Sequence, residues 1–338
     1  MARPRSDRVA SIKARLVARL TDGVHRPGDR FLSTRAVARH FGISYQTAHR
    51  LLAELGAEGM LERVAASGTY LAGGRALSRL PLLVMASRGR RKDSFGSRLH
   101  RAVETGLAAQ GLDWTIRWYD EHASSSGRAR SAVSALPRHA LPMVWGAPDV
   151  LASCLADRRS AVLLHERPPS GIESVFIDSV SIDDFAGGVY AAQLLERQRL
   201  RGGYAILAGP AHDPRSCARV AGFLSRLRAT VVHAQSWYLE GGLGVAERAV
   251  AAGRRGIFCA NDRLAEAVHA WCRAARQPCP PLVGFDDAPV AERLGLTTIA
   301  IPWGELSTAT AALVRRRLAD DAASATHVVL SPRPVVRS

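Results

Sequence analysis

Apolar residues recur at helical spacing from Val9 to Leu20, with Val9, Ile12, Leu16 and Leu20 on one stripe and Lys13, Arg15 and Arg19 between them. The spacing predicts a helix with one core-facing side. It stops at Asp22-Gly23, and Pro27-Gly28-Asp29 carries turn chemistry. Ser33-Thr34 supply hydroxyls able to cap a second helix through Phe41, which Gly42 ends. Ser44 is an N-cap for a third helix, Tyr45 to about Ala57, with Ala48, Leu51, Leu52 and Leu55 on one face and Tyr45, Gln46, His49 and Arg50 on the other. After Gly59, the stretches Met60–Val64 and Thr69–Leu71 flank a small-residue turn ending in Gly68, which predicts a hairpin. Helix, helix, turn, helix and hairpin make a winged helix-turn-helix.

From Gly73-Gly74 to Leu80 no long apolar period occurs, which predicts a linker. The pattern then changes. Short buried-strand runs (Leu82–Ala86, Trp114–Tyr119, Met143–Trp145, Ala161–Leu164, Val175–Ile177, Tyr204–Ala208, Gly256–Ala260 and Leu282–Phe285) alternate with helix-like stretches of ten or more residues. Such alternation implies parallel sheets covered by helices on both faces. The stretch is long for one layered sandwich, so two similar lobes with a cleft between them are expected. The expected fold class is α/β, divided into a winged helix-turn-helix at 1–72, a linker at 73–80 and a two-lobed domain at 81–338. Ligands of open α/β sheets sit beyond the carboxyl ends of the strands, so the loops there are where chemistry is expected.

Charge sharpens this division. The chain of 338 residues has a formal net charge of +16, which points to a polyanionic partner. Residues 1–80 hold 14 Lys and Arg against 6 Asp and Glu, so the head is the more basic part per residue. Five cysteines at irregular spacing, without a Cys-x-x-Cys pair, suit a reducing compartment and give no zinc site. Met1 to Arg19 lacks an apolar leader core, and no run of 18 apolar residues occurs, so a cytoplasmic protein without membrane contact is expected.

The stretch "PGDRFLSTRAVARHFGISYQTAHRLLAELGAEGMLERVAASGTYLAG" resembles the GntR family of winged-helix repressors across nearly all of residues 9–72. Matching positions are Pro27-Gly28, Ser33, Arg35, Ala38, Phe41-Gly42, Ser44, Thr47, Leu52, Leu55, Gly59 and Gly68-Thr69. The resemblance implies double-stranded operator DNA as partner. A recognition helix lays its first turns in the major groove, while hydroxyls and N–H groups near helix starts hold phosphates. The candidate DNA-binding residues are Arg35, Ser44, Tyr45, Gln46, Thr47, His49 and Arg50, with Gly68 and Thr69 at the wing. Tyr45 and His49 stand where the family commonly has arginine, and Ala65-Ala66 form the wing tip, so the family's base preference does not transfer. The bland alternative is a solvated helix face.

"GGYAILAGPAHDPRSCARVAGFLSRL", "GIFCANDRLAEAV" and "VGFDDAPVAERLGLTTIAIPWGELSTATAALVRRRL" resemble the effector domain of the LacI family, a periplasmic-binding-protein-like fold. The resemblance covers residues 82–337 and includes the closing "SPRPVVRS". It implies a small-molecule effector, carbohydrate by preference, and carries over Arg219, Trp237, Asn261 and Asp286 as ligand residues, with Phe95 from the first lobe. Ser87, Arg167 and Asp178 are weaker candidates. Each type has a use: Arg219, at the start of a helix, offers a forked donor to adjacent hydroxyls, Asn261 both donates and accepts, Asp286 accepts from vicinal hydroxyls, and Trp237 stacks on the C–H face of a sugar ring. Equally, Asp287 can cap a helix near Pro289, Arg219 can be a surface residue, and Trp237 can be core.

Together these readings describe a transcription regulator, a repressor by resemblance, acting as a homodimer without cofactor. A pyridoxal-phosphate enzyme domain, fused to some GntR-type heads, needs a Schiff-base lysine. Only Lys13, in the head, and Lys92, in "RGRRKD", are available, and no Gly-x-Ser-x-Gly, Walker or His-Glu-x-x-His motif occurs. A transport-type binding protein is disfavoured by the attached head, and a purine remains an alternative effector.

Overall fold

The computed structural model describes residues 5–21, 29–64, 68–72, 80–120, 136, 140–166, 176–198, 201–253 and 255–337. The chain divides into two compact units, Met1–Leu82 with Arg130–Leu141, and Leu83–Ala129 with Pro142–Ser338. The Pro27-Gly28 turn, the Ala65-Ala66 wing tip, linker residues 73–79 and Arg167 lie outside the described residues.

In the head, α1 (Arg5–Thr21), α2 (Thr34–Phe41) and α3 (Tyr45–Ala57) precede a hairpin of β1 (Leu61–Val64) and β2 (Gly68–Leu71). The caps are those the sequence predicts. Ser33 Oγ accepts from Ala36 N at 3.2 Å and Ser44 Oγ accepts from Thr47 N at 3.1 Å. Gly42 closes α2 at φ 59°, a left-handed conformation that glycine adopts without a Cβ penalty. Ile12, Leu16 and Leu20 of α1 meet Val37 and the Ala48, Leu51, Leu52 and Leu55 face of α3 in one core. Each large side chain buried there contributes about 1.5–3 kcal/mol. Lys13 clamps α1 to α3 by bonds to Glu54 (3.1 Å) and Glu58 (2.6 Å). Residues 29–31 run beside β2, with Phe31 N donating to Thr69 O and Leu71 N donating to Asp29 O, both at 2.8 Å.

The first lobe contains β3 (Leu80–Ala86), a 3-10 turn at Ser87–Arg90, α4 (Phe95–Ala109), β4 (Thr115–Tyr119), β5 (Ala140–Trp145), α5 (Pro148–Ala156), β6 (Ala161–Leu164) and β7 (Ile177–Ile182). The second contains α6 (Asp184–Glu196), β8 (Tyr204–Ala208), α7 (Pro214–Leu224), β9 (Thr230–His233), α8 (Leu239–Leu243), α9 (Ala246–Ala252) and β10 (Gly256–Cys259). It continues through α10 (Asp262–Ala274), β11 (Leu282–Asp286), α11 (Pro289–Arg293) and β12 (Thr297–Ala300). Then α12 (Trp303–Ala319) and β13 (His327–Leu330) return to the first lobe, and β14 (Arg333–Val335) closes the second. The sheet orders are β13-β7-β6-β5-β3-β4 and β14-β12-β11-β10-β8-β9.

Within each lobe the first five strands therefore lie in the order 2-1-3-4-5, and the switch point falls between the first and third strand of each, where loops diverge to leave a crevice. β5, β6, β8 and β10 are buried along their whole length, as parallel strands covered on both faces must be. Helices α6 and α7 pack closely because a Cβ on Gly222 would collide with Phe185 O and one on Gly188 with Arg219 O. That approach sets α7, and with it Arg219, behind the crevice.

Two expectations need correction. The strand expected at Val175–Ile177 runs Ile177–Ile182 instead, with Asp178, Ser179 and Ser181 buried in it. Asp178 tolerates this because Arg317 Nε and Arg316 Nη2 donate to it at 2.7 Å, as does Thr326 N, so it pins α12 to its own sheet and is no ligand candidate. The short strands β9 and β13 are four residues each, and of their eight positions only Val232 is buried, so they do not stand out as buried-strand runs.

Candidate functional site

Two surfaces carry chemistry. On the head, Tyr45, Gln46, His49 and Arg50 fall on one outward face of α3, Tyr45 being 55% exposed. Arg35 is exposed on α2, and Thr47 is half-buried with its hydroxyl 2.8 Å from Ser44 Oγ. Arg50 is partly engaged by Glu54 at 3.8 Å. Thr69 is buried, and its carbonyl accepts from Phe31 N.

In the two-lobed unit a cavity of about 260 Å³ opens at the carboxyl ends of the strands, and Phe95, Arg219, Trp237, Asn261 and Asp286 all line it. Five positions scattered over nearly two hundred residues thus converge. Phe95 opens α4 after β3, and its ring lies 4.3 Å from His165, 5.3 Å from Trp303 and 6.0 Å from Trp145. Trp237 comes from the other lobe, after β9. Aromatic surface therefore enters the cavity from both sides.

Arg219 sits in the middle of α7, not at its start, and is 3% exposed. It donates to Asp184 Oδ1 at 2.7 Å and Ala260 O at 2.5 Å, lies 3.5 Å from Asp286 Oδ1, and stacks 3.6 Å over the Phe285 ring. Its charge is matched before any ligand arrives. Asp213 caps α7 and gathers Arg215 (Nη2, 2.7 Å) and Trp237 Nε1 (2.9 Å). Burial would raise the Asp213 carboxyl, but the bonds from Arg215 and Trp237 outweigh it and hold the group well below the usual carboxylate range.

Asn261 is already engaged in holding its surroundings, since Oδ1 accepts from Leu264 N, capping α10, and Nδ2 donates to Trp237 O, both at 2.8 Å. One hydrogen and one lone pair remain for a ligand. Asp286 stands at φ 99°, and burial lifts its carboxyl to about 6 against the lowering charges of Arg219 and Arg98. Neighbouring Asp287 is not a helix cap; it accepts from Arg337 at 2.7 Å. Behind Asp286, fully buried Asp262 is raised to about 8 by burial and by the charge of Asp286.

Sequence reasoning missed Trp145, His165 and Arg215, and also Arg88, Arg98 and Arg263, all of which line the cavity. Arg98 donates to Asp286 O at 3.0 Å and Arg263 to Asp93 O at 3.1 Å, so both tie one lobe to the other. His165 closes the apolar run Ala161–Leu164 as Asp286 closes Leu282–Phe285, but that position alone also suits a core histidine. Ser87 and Asp178 do not line the cavity. Among the described residues no metal-holding cluster occurs, and no helix is long and apolar enough to cross a membrane.

A basic three-helix head with an outward-facing helix, joined to a two-lobed α/β clamp with a polar and aromatic cavity, defines a ligand-responsive DNA-binding protein. Residues 8–71 match the family profile of bacterial regulatory proteins of the gntR family, and residues 191–338 match that of a periplasmic binding protein-like domain. The head is a GntR DNA-binding domain, and the clamp carries a periplasmic-binding-protein-like domain. Among solved structures, the transcriptional regulator CelR in complex with cellobiose aligns over 99% of both chains at 18% identity and TM-score 0.66. A LacI family transcriptional regulator from Enterococcus faecalis V583 with bound ribose aligns over 76% of this chain and 97% of its own, at 20% identity and TM-score 0.63. A LacI transcriptional regulator from a Rhodococcus species aligns over 77% and 97%, at 23% identity and TM-score 0.63. No curated protein sequence matches the chain.

Proposed function

We propose that this protein is a cytoplasmic transcription repressor that binds operator DNA as a homodimer and releases it when the two-lobed domain takes up a small carbohydrate. One observation carries the effector assignment: Arg219, Trp237, Asn261, Asp286 and Phe95 converge on one cavity, in which Arg215 and Arg219 already have carboxylate partners. Such a site offers apolar ring faces and hydrogen bonds, the combination that holds a sugar. At about 260 Å³ the cavity is smaller than drug-sized pockets, which run to about 300–1,000 Å³, so a monosaccharide fits the reading better than a longer sugar. Solved neighbours with bound ribose, D-xylulofuranose and cellobiose agree with the class.

On the DNA side, Tyr45, Gln46, Thr47 and His49 read base edges while Arg35, Ser44, Arg50 and the Gly68-Thr69 backbone hold phosphates, with half-sites about 34–36 Å apart. No catalytic residue or cofactor belongs to this reading. Lys13 is occupied by two glutamates of the head. The ligand controls DNA only through different affinity for the two DNA-binding states. Thermal-shift screening of monosaccharides, disaccharides and nucleosides tests the assignment, since a ligand of the folded state raises its stability with concentration over Kd. A monosaccharide that raises the melting temperature and lowers affinity for selected operator DNA is expected. A response to nucleosides alone would overturn the carbohydrate reading.

A further inference from the structure

His165 is a side chain of the cavity to which the proposed function gives no role. It follows β6, is 2% exposed and lines the cavity. Among the described residues neither of its ring nitrogens has a hydrogen-bond partner. Its backbone stands at φ 55°, in the left-handed region that a residue with a Cβ seldom occupies. An unsatisfied buried imidazole on a strained backbone is doubly unfavourable for the fold, and such costs persist where function demands them.

The second lobe repeats the arrangement. β11 is the fourth strand of its lobe, as β6 is of the first, and it ends at Asp286 with positive φ and an Oδ1 that accepts no hydrogen bond among the described residues. Trp145 Nε1, buried and without a partner among the described residues, belongs to a third side chain of the same cavity. The three differ in what they can exchange. Burial, then the charges of Arg215 and Arg219, keep His165 neutral, so one nitrogen donates and the other accepts. Trp145 Nε1 only donates, and a carboxylate only accepts. Hydroxyls answer all three, because each both donates and accepts; a ring ether or carbonyl answers only the donors, an ammonium only the acceptors.

We infer that His165 is a specificity-determining residue that exchanges a hydrogen bond with an effector hydroxyl from the first lobe while Asp286 accepts from another in the second, so that the site selects a polyol with free hydroxyls facing both lobes. This rests on the carbohydrate reading proposed above.

The test uses the full chain, D-ribose, D-xylose, D-glucose and D-galactose as probes, and two variants. His165→Phe keeps a ring and removes both nitrogens; His165→Asn keeps a donor and an acceptor and suits a left-handed backbone. Without sugar, the melting temperature of His165→Phe is expected to equal or exceed that of wild type, because no hydrogen bond is lost. With the sugar that binds wild type best, calorimetry is expected to show affinity down about tenfold or more in His165→Phe, with partial recovery in His165→Asn. Affinity of His165→Phe within about twofold of wild type overturns the inference, as does a fall of more than about 5 °C in the sugar-free melting temperature of both variants. Should none of the four sugars move wild type, the carbohydrate reading fails, and the sugar-free melting temperatures alone decide whether His165 is held for a ligand or for the fold.

Discussion

The buried carboxyl of Asp262 allows a quantitative test of how the second lobe is held together. Asp262 Oδ1 lies 2.6 Å from Thr298 Oγ1, and Ala288 N donates to Oδ2, also at 2.6 Å. With its native pKa raised to about 8 against about 3.9 in an unfolded chain, the folded state keeps a proton that the unfolded state gives up. The stabilisation is thus complete below about pH 4 and is lost as pH rises towards 8. At about 1.36 kcal/mol per unit, the three units from pH 5 to 8 correspond to roughly 4 kcal/mol, an upper bound because the site relaxes when ionised. Asp262→Asn mimics the protonated acid: its oxygen accepts from Ala288 N and its amide donates to Thr298 Oγ1. Melting curves of wild type and Asp262→Asn, followed by tryptophan fluorescence from pH 5 to 8.5, are expected to match at the acid end and to diverge in favour of the variant, by up to about 10 °C. Titrating groups other than Asp286, whose charge acts on Asp262, are common to both proteins and cancel. A melting difference that stays flat across the range refutes the reasoning and places an ionised Asp262 in the native state.

Three further outcomes are expected. Arg219→Ala leaves Asp184 and Asp286 buried without their cation and lowers stability by about 3–5 kcal/mol, read from urea denaturation. Effector affinity, measured by calorimetry, weakens as pH falls through about 6, because an ionised Asp286 accepts from a hydroxyl more strongly than a protonated one; affinity constant from pH 5 to 7.5 removes Asp286 from the contact. Gln46→Ala loses about 1–3 kcal/mol of operator binding in fluorescence anisotropy while the melting temperature stays that of wild type, since the side chain is exposed and outside the head's core.

How much of this was legible depended on the kind of signal. The head's helices were readable almost residue by residue, because Ser33, Gly42 and Ser44 are local punctuation whose effect needs no tertiary partner. Strands rich in apolar residues were equally plain. β7 was misplaced because its buried Asp178 is satisfied by Arg316 and Arg317, about 140 positions away, and no local pattern records such a pairing. The same asymmetry runs through the cavity. Trp237 and Asp286 could be found by resemblance, and their convergence follows from the strand order. That Asn261 steadies Trp237, and that Arg215 answers to Asp213, depends on side-chain geometry within loops. His165 was hidden for a different reason: a histidine closing an apolar run looks like core until its unmet nitrogens are seen.

The chain passes between the lobes three times, after β7, after β12 and after β13. Neither lobe is consequently a continuous piece of polypeptide. The sheet of the first lobe lacks an edge until His327–Leu330 has been synthesised and has paired with β7, so during translation that lobe waits unfinished while the whole of its neighbour is made. A truncation shortly before residue 327 would therefore injure the lobe that the chain began building first, and a single proteolytic nick at one crossing would leave both halves of the clamp joined by the other two.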